Sequence, residues 1–158
     1  MRILGLDPGV AIVGFGIIGI NNGNMHAISY GAIRTPPHDA MEKRLLTISN
    51  NISEILSIHQ PDVCAIEALF FSKNVKTAMQ VSQARGVLLC NLAQKNIPVY
   101  DYSPTTIKQC LIGHGMAEKK QVQFMTKELL NLKKVPSPDD VADALAVAIC
   151  HHHSVQFK

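Results

Sequence analysis

"AIVGFGIIGINNGNMHAISYGAI" (residues 11–33) holds two apolar, strand-like runs, 11–20 and 25–33, joined by "NNGN". Asn22-Gly23 is a strong signal for a tight hairpin, because the turn that matches sheet twist needs positive φ at both central positions. Ahead of it, "ILGLDPG" (3–9) reads as a short buried strand, 2–7, stopped by Asp-Pro-Gly. Three consecutive strands predict an antiparallel meander. "RTPPHD" breaks that pattern, and from Met41 the apolar positions 41, 45, 48, 52 and 55 recur at helical spacing, which predicts an amphipathic helix over 40–58.

"DVCAIE" (62–67) is a short buried strand and a long helix spans about 75–95, with "ARGVLLCNLA" small and apolar on one side. "IPVYDYS" (97–103) is a fifth strand. Ser103-Pro104 has the N-cap and first-turn pattern of a helix start, and "MAEKKQVQFMTKELLNL" is a further helix. Ser137-Pro138-Asp139-Asp140 repeats the start signal before "VADALAVAIC", the last helix. Strands first, then alternating helix and strand, then helices predict an α/β fold: a mixed five-stranded sheet with helices on both faces, in ribonuclease H-like order.

At 158 residues, without a repeat, low-complexity tract or linker, the chain is expected to form a single domain, 1–158. Charged residues are 17% and hydrophobic ones 47%, which suits a compact soluble protein rather than a disordered one. No apolar run reaches the length of a membrane span, and the amino terminus has no signal-peptide layout, so a cytoplasmic location is expected. Cys64, Cys90, Cys110 and Cys150 form no C-x-x-C pair and read as reduced core residues. Net charge is +3, unevenly spread: residues 68–134 hold ten Lys or Arg against three acids, and each flank is −2. That is the pattern of a solvated surface, or of a polyanion-binding protein with a separate acidic site.

Glu67 closes its strand as Asp7 closes the first. If those strands are neighbours, both carboxylates emerge at one sheet edge. Asp7 is open to a turn reading, since Asp, Pro and Gly are all turn formers. Asp140 and Asp143 are three apart on one helix face, near a helix start where acids are favoured anyway. Asp139 is expected to point away from that face. Taken together, four crowded carboxylates repel one another unless cations neutralise them. Oxygen-only ligands without Cys or His suit Mg²⁺ or Mn²⁺, and two such ions can stabilise both oxygens of a phosphodiester exchange. On this reading Asp7 bridges two metals, and Glu67, Asp140 and Asp143 complete the sites.

"GLDPG" (5–9), "AIEALFFSKN" (65–74), "QARGVLL" (83–89), "AEKKQV" (117–122) and "PDDVADALAVAICH" (138–151) resemble, in order and spacing, the RuvC family of Holliday-junction resolvases. The resemblance covers nearly the whole chain. It implies a ribonuclease H-like, Mg²⁺-dependent endodeoxyribonuclease with two ions per active site (Mn²⁺ substituting). Such an enzyme is a homodimer that nicks four-way DNA junctions in pairs during recombination and repair, alongside junction-binding and branch-migration proteins of the RuvA and RuvB type. It also implies catalytic acids at Asp7, Glu67, Asp140 and Asp143, a base-stacking aromatic at Phe70, and DNA-contacting lysines at Lys108 and Lys119. Phe70 and Phe71 are adjacent, and one is expected in the core. Lys119, in "EKKQ", reads equally well as part of a solvated helix face. His151, His152 and His153 are expected at the surface, since His151 lies about 12 Å along the helix from Asp143.

Two rival classes fit some of these features. A nucleotide-binding phosphotransferase of the actin and sugar-kinase type also opens with an acid-and-glycine hairpin, but needs two such lobes to enclose ATP. A non-catalytic junction-binding module would leave the acid cluster without compensation.

Overall fold

The computed structural model describes residues 1–69 and 75–156. Its elements are β1 (Arg2–Asp7), β2 (Ile12–Asn21), β3 (Asn24–Arg34), α1 (Met41–His59), β4 (Val63–Glu67), α2 (Val75–Gln94), β5 (Val99–Tyr102), α3 (Pro104–Ile112), α4 (Lys119–Leu129) and α5 (Asp139–Gln156). The five strands form one sheet in the order β3-β2-β1-β4-β5. The meander is antiparallel, and its turn has φ of 51° at Asn22 and 80° at Gly23, as the Asn-Gly signal requires. β4 and β5 run parallel to β1, each reached through a helical crossover.

Period-2 alternation assigns the faces. Leu4, Leu6, Ile17, Cys64 and Ile66 point to one side and are covered by Ile48, Ile52 and Leu56 of α1 with Ala84, Leu88 and Leu92 of α2. Ile3, Ile18, Val63 and Ala65 point to the other, against α5 backed by Ile107 and Leu111 of α3 and Val122 of α4. The result is three layers, helices on both faces of a mixed sheet.

α5 is the pivot of the fold. Every residue from Ala144 to Cys150 is fully buried, the signature of a helix covered all round rather than on one stripe. It lies so close to the sheet that a side chain would not fit beneath it. A Cβ on Gly5 would collide with the carbonyl oxygen of Ala144, and one on Gly14 with that of Asp140. Those glycines, with the alanines of the helix, bring two backbones together.

Several expectations change. α4 begins at Lys119 rather than Met116, because Glu118 is its N-cap and exchanges hydrogen bonds with Gln121 in a capping box. α5 continues to Gln156, and His151 and His152 are buried rather than at the surface. The Nδ1 atom of His151 lies 2.8 Å from the Tyr102 hydroxyl, and its ring sits 4.8 Å from that of Tyr100. This polar contact ties β5 to α5, and burial, reinforced by the charge of His152, lowers the His151 pKa. All four cysteines are free thiols, but only Cys64 and Cys150 are buried; Cys110 is half-buried and Cys90 faces solvent on α2.

Candidate active site

The alternation that buries Ile3 and Val63 continues to the ends of their strands. Gly5 and Asp7 follow Ile3, and Ala65 and Glu67 follow Val63, so both carboxylates reach the α5 face. Leu6 pairs with Ile66 in parallel register, which sets Asp7 and Glu67 side by side at one edge. On its other flank Asp7 pairs with Gly14, the residue beneath Asp140. The first turns of α5 therefore carry Asp140 and Asp143 to the same edge, as the sequence reading expects.

The end of β4 is held from below. Arg85 of α2 donates to the Glu67 carbonyl at 3.4 Å and to Asp101 at 2.6 Å, while the backbone N–H of Ala68 donates to the Tyr102 carbonyl at 2.8 Å. Arg85 is the charged residue of "QARGVLL", and this contact gives that stretch a structural task beside the acids.

Burial pushes the Asp7 carboxyl up to about 8, helped by the charges of Glu67, Asp143 and Asp140, with Lys119 opposing. Glu67 rises to about 7, by burial and then by Asp143, with Lys119 and Lys108 opposing. Asp143 is also raised: burial outweighs the hydrogen bond from Lys119. Four acids thus share a partly dry edge that is short of positive charge. Among the described residues, no three His, Cys, Asp or Glu side chains are yet grouped tightly enough to grip one ion. The oxygen-only donors and mutual repulsion nevertheless fit a hard divalent cation.

The nearest cation is Lys119, at the start of α4. Its Nζ lies 3.0 Å from Asp143 and 3.3 Å from Asp139. Burial alone would lower the Lys119 pKa, but the two carboxylates outweigh it and raise it. Asp139 does not point away from the Asp143 side as expected. The two are four apart, hence neighbours on a helix, and one ammonium reaches both. Asp139 is exposed, hydrogen-bonded also by Gln123 at 3.0 Å, and held below its usual pKa by Lys119.

A cleft of about 170 Å³ opens beside the acids, lined by Glu67, Lys108, Lys119 and Asp143 with Pro104, Ile107, Val122 and Ala146. Both lysines singled out in the sequence therefore meet the acids. Lys108 arrives on α3, started where expected by the Ser103 side chain accepting from the Thr106 N–H at 3.0 Å. Phe70 lies outside the described residues. The sequence reading missed the Arg85 tie and the lysine bridge, both made between elements distant in the chain.

Three comparisons place this geometry among known proteins. The family model described as crossover junction endodeoxyribonuclease RuvC matches residues 3–151. A crossover junction endodeoxyribonuclease RuvC of Clostridioides difficile is 53% identical over 98% of this chain and 91% of its own, and one of Alkaliphilus oremlandii is 51% identical over 99% and 96%. The solved structure of Thermus thermophilus RuvC superposes with a TM-score of 0.92 at 31% identity, covering 99% of this chain and 96% of the other. The same protein in complex with a Holliday junction substrate gives 0.91 at 28%, with the same coverage.

Proposed function

The chain belongs to the RuvC family of crossover junction endodeoxyribonucleases, resolvases of four-way DNA junctions, and from that premise we propose that Asp7, Glu67, Asp140 and Asp143 are its catalytic acids and metal ligands. The observation that carries the proposal is their convergence on one sheet edge from two strand ends and one helix start. Membership in a nuclease family sets aside both the kinase-like and the non-catalytic readings.

The proposed ions are Mg²⁺, two per site, with Mn²⁺ able to substitute. Bound there, they would supply Lewis-acid stabilisation of the attacking and leaving oxygens of the phosphodiester. The protein's part is to hold four carboxylate oxygen sets on rigid elements and to keep water scarce around them. Near neutral pH and without a cation, Asp7 and Glu67 retain protons, at about 8 and about 7. Lys108 and Lys119 would meet phosphate oxygens at the cleft rim, and Phe70 would stack on an exposed base. The deciding experiment incubates the protein with a labelled four-way junction and with duplex DNA, each with and without Mg²⁺. Cutting of the junction, only with the metal, is expected; metal-independent cutting would overturn the metal-ligand role.

Junction affinity should fall steeply with salt, because phosphate neutralisation releases counterions. Lys108→Ala and Lys119→Ala are each expected to weaken binding and to flatten the log–log salt slope by about one. An unchanged slope would remove that lysine from the DNA surface.

We also propose a homodimer, working beside proteins of the RuvA and RuvB type in the cytoplasm. Among the described residues no helix is long and apolar enough to cross a membrane. A two-fold dimer matches the two equivalent strands of a junction. On α2, Gly86, Cys90 and Ala93 are exposed beside a half-buried Leu89, and a Cβ on Gly86 would meet nothing within 4 Å. Sedimentation at micromolar concentration should show a dimer, and Gly86→Arg should yield a folded monomer. A wild-type monomer, even with junction DNA, would count against the dimer.

A further inference from the structure

A second groove, of about 410 Å³, meets the acids at Asp140, and shares no lining residue with the lysine-lined cleft that meets them at Glu67 and Asp143. Its walls include residues 9–12, Arg44 of α1, Gln80 of α2, and Asp140. Arg44 is half-buried, and its Nε donates to the Thr35 hydroxyl at 2.8 Å. That hydroxyl, itself buried, donates to the Val10 carbonyl at 2.6 Å, while the Thr35 N–H donates to the Ala11 carbonyl at 3.1 Å. Thr35 therefore fixes the guanidinium to the turn that follows Asp7.

What Arg44 does not do is equally informative. It lines a groove with Asp140, yet among the described residues no ion pair involves it. The cations whose charge lowers the acids are Lys119, for Asp7, Glu67 and Asp143, and Lys108, for Glu67; Arg44 is not among them. A structural arginine of this kind would be expected to pair with the nearest carboxylate. Instead one edge is anchored through Nε, and among the described residues no hydrogen bond uses its two terminal Nη groups. That planar pair of donors suits a phosphate, which guanidinium groups grip in two-point fashion.

We propose that this groove binds a phosphate of the cleaved DNA strand next to the scissile one, with Arg44 as its ligand and Thr35 as the residue that positions Arg44. The strand would then cross the acids between two anchors, Arg44 on one side and Lys108 and Lys119 on the other. This rests on the nuclease reading of the acids and adds a subsite to it. Two fixed anchors define the path of the backbone, and alignment of the scissile bond follows from that path.

The test is single-turnover cleavage of a four-way junction in Mg²⁺, with binding in Ca²⁺ and melting temperature as companions. Wild type and Arg44→Gln are compared on junctions carrying one neutral methylphosphonate at a time, at each phosphate flanking the cut. Arg44→Gln should cut the unmodified junction about 10- to 100-fold more slowly, the range for one charge-assisted contact. One methylphosphonate position should reproduce that loss in wild type and add nothing in Arg44→Gln. Losses that multiply at every position, or wild-type cutting by Arg44→Gln, would overturn the subsite. Should Arg44→Gln fail to fold, Arg44→Lys keeps the charge without the two-point grip. A reduced effect confined to the same phosphate supports the subsite, and an equal loss on every substrate overturns it. Asp7→Asn on the unmodified junction reports separately on the acids, so the failure of one reading is not mistaken for failure of the other.

Discussion

Asp7→Asn is expected to bind a four-way junction as tightly as wild type and to cut it at least about a thousandfold more slowly. The loss follows from removing the central charge that would hold the ions, whose stabilisation of the transition state amounts to several kcal/mol. Binding should survive, because the proposed phosphate contacts come from the basic surface and not from the acids. Stability moves the other way. The Asp7 carboxyl sits at about 8 in the folded protein against an ordinary value of 3.8, so the native state holds the extra proton between those values. Folding stability from this group is therefore fully present at low pH and declines as pH rises from about 4, levelling off above about 8. Removing the charge should raise the metal-free melting temperature, by about 2–8 °C near pH 8 for a gain of about 1–2 kcal/mol, and by much less at pH 4. Mg²⁺ should narrow the gap by stabilising wild type only. If Asp7 were merely a turn residue, the Asn variant would cut normally and melt like wild type at every pH.

The second large effect belongs to a residue with no side chain. Gly14→Ala places a Cβ against the Asp140 carbonyl oxygen and only 3.1 Å from the Asp140 Cβ. Neither neighbour is the end of a flexible chain, so the amino end of α5 must lift from the sheet. Overpacking of this kind costs about 3 kcal/mol, or about 6–12 °C in melting temperature for a chain of this size. Because the displaced residue is a proposed ligand, cleavage should fall about 100-fold even where the protein is fully folded. Differential scanning calorimetry and single-turnover cleavage at 20 °C measure the two losses separately. Wild-type cutting by a destabilised Gly14→Ala would show that the height of α5 does not matter to the chemistry.

Local chemistry made most of the fold legible. Asn22-Gly23 sets its own turn, Ser103 caps its own helix, and period-2 alternation carries Asp7 and Glu67 to the same face without outside help. The four acids were readable as a group because each stands at the end of a regular element. What escaped was non-local. Asp139 joins Asp143 through Lys119, a residue of another helix, and no spacing within α5 indicates which side α4 will pack against. His151 and His152 are buried against expectation, since a polar triplet at a helix end is usually solvated. The unbroken apolar run "ALAVAIC" ahead of them was the sign of a helix enclosed on every side, where Tyr102 supplies His151 with a partner. Arg44 gave no sign at all: on an amphipathic helix it is one more polar residue, and only the folded turn after Asp7 gives it a role.

The chain order of the proposed catalytic acids bears on when nuclease activity can first exist. Asp7 and Glu67 leave the ribosome early, on strands that can pair as soon as both have emerged. Asp140 and Asp143 come much later, on the helix that fills the middle of the opposite layer. Since synthesis runs from the amino end and domains fold as units, a nascent or truncated chain lacking α5 has neither the second half of the acid cluster nor the core that supports the first. With the four acids acting together as proposed, premature termination before α5 is expected to yield an inert fragment rather than a DNA-cutting one. Nuclease chemistry that needs all four proposed acids is withheld until α5 has been made.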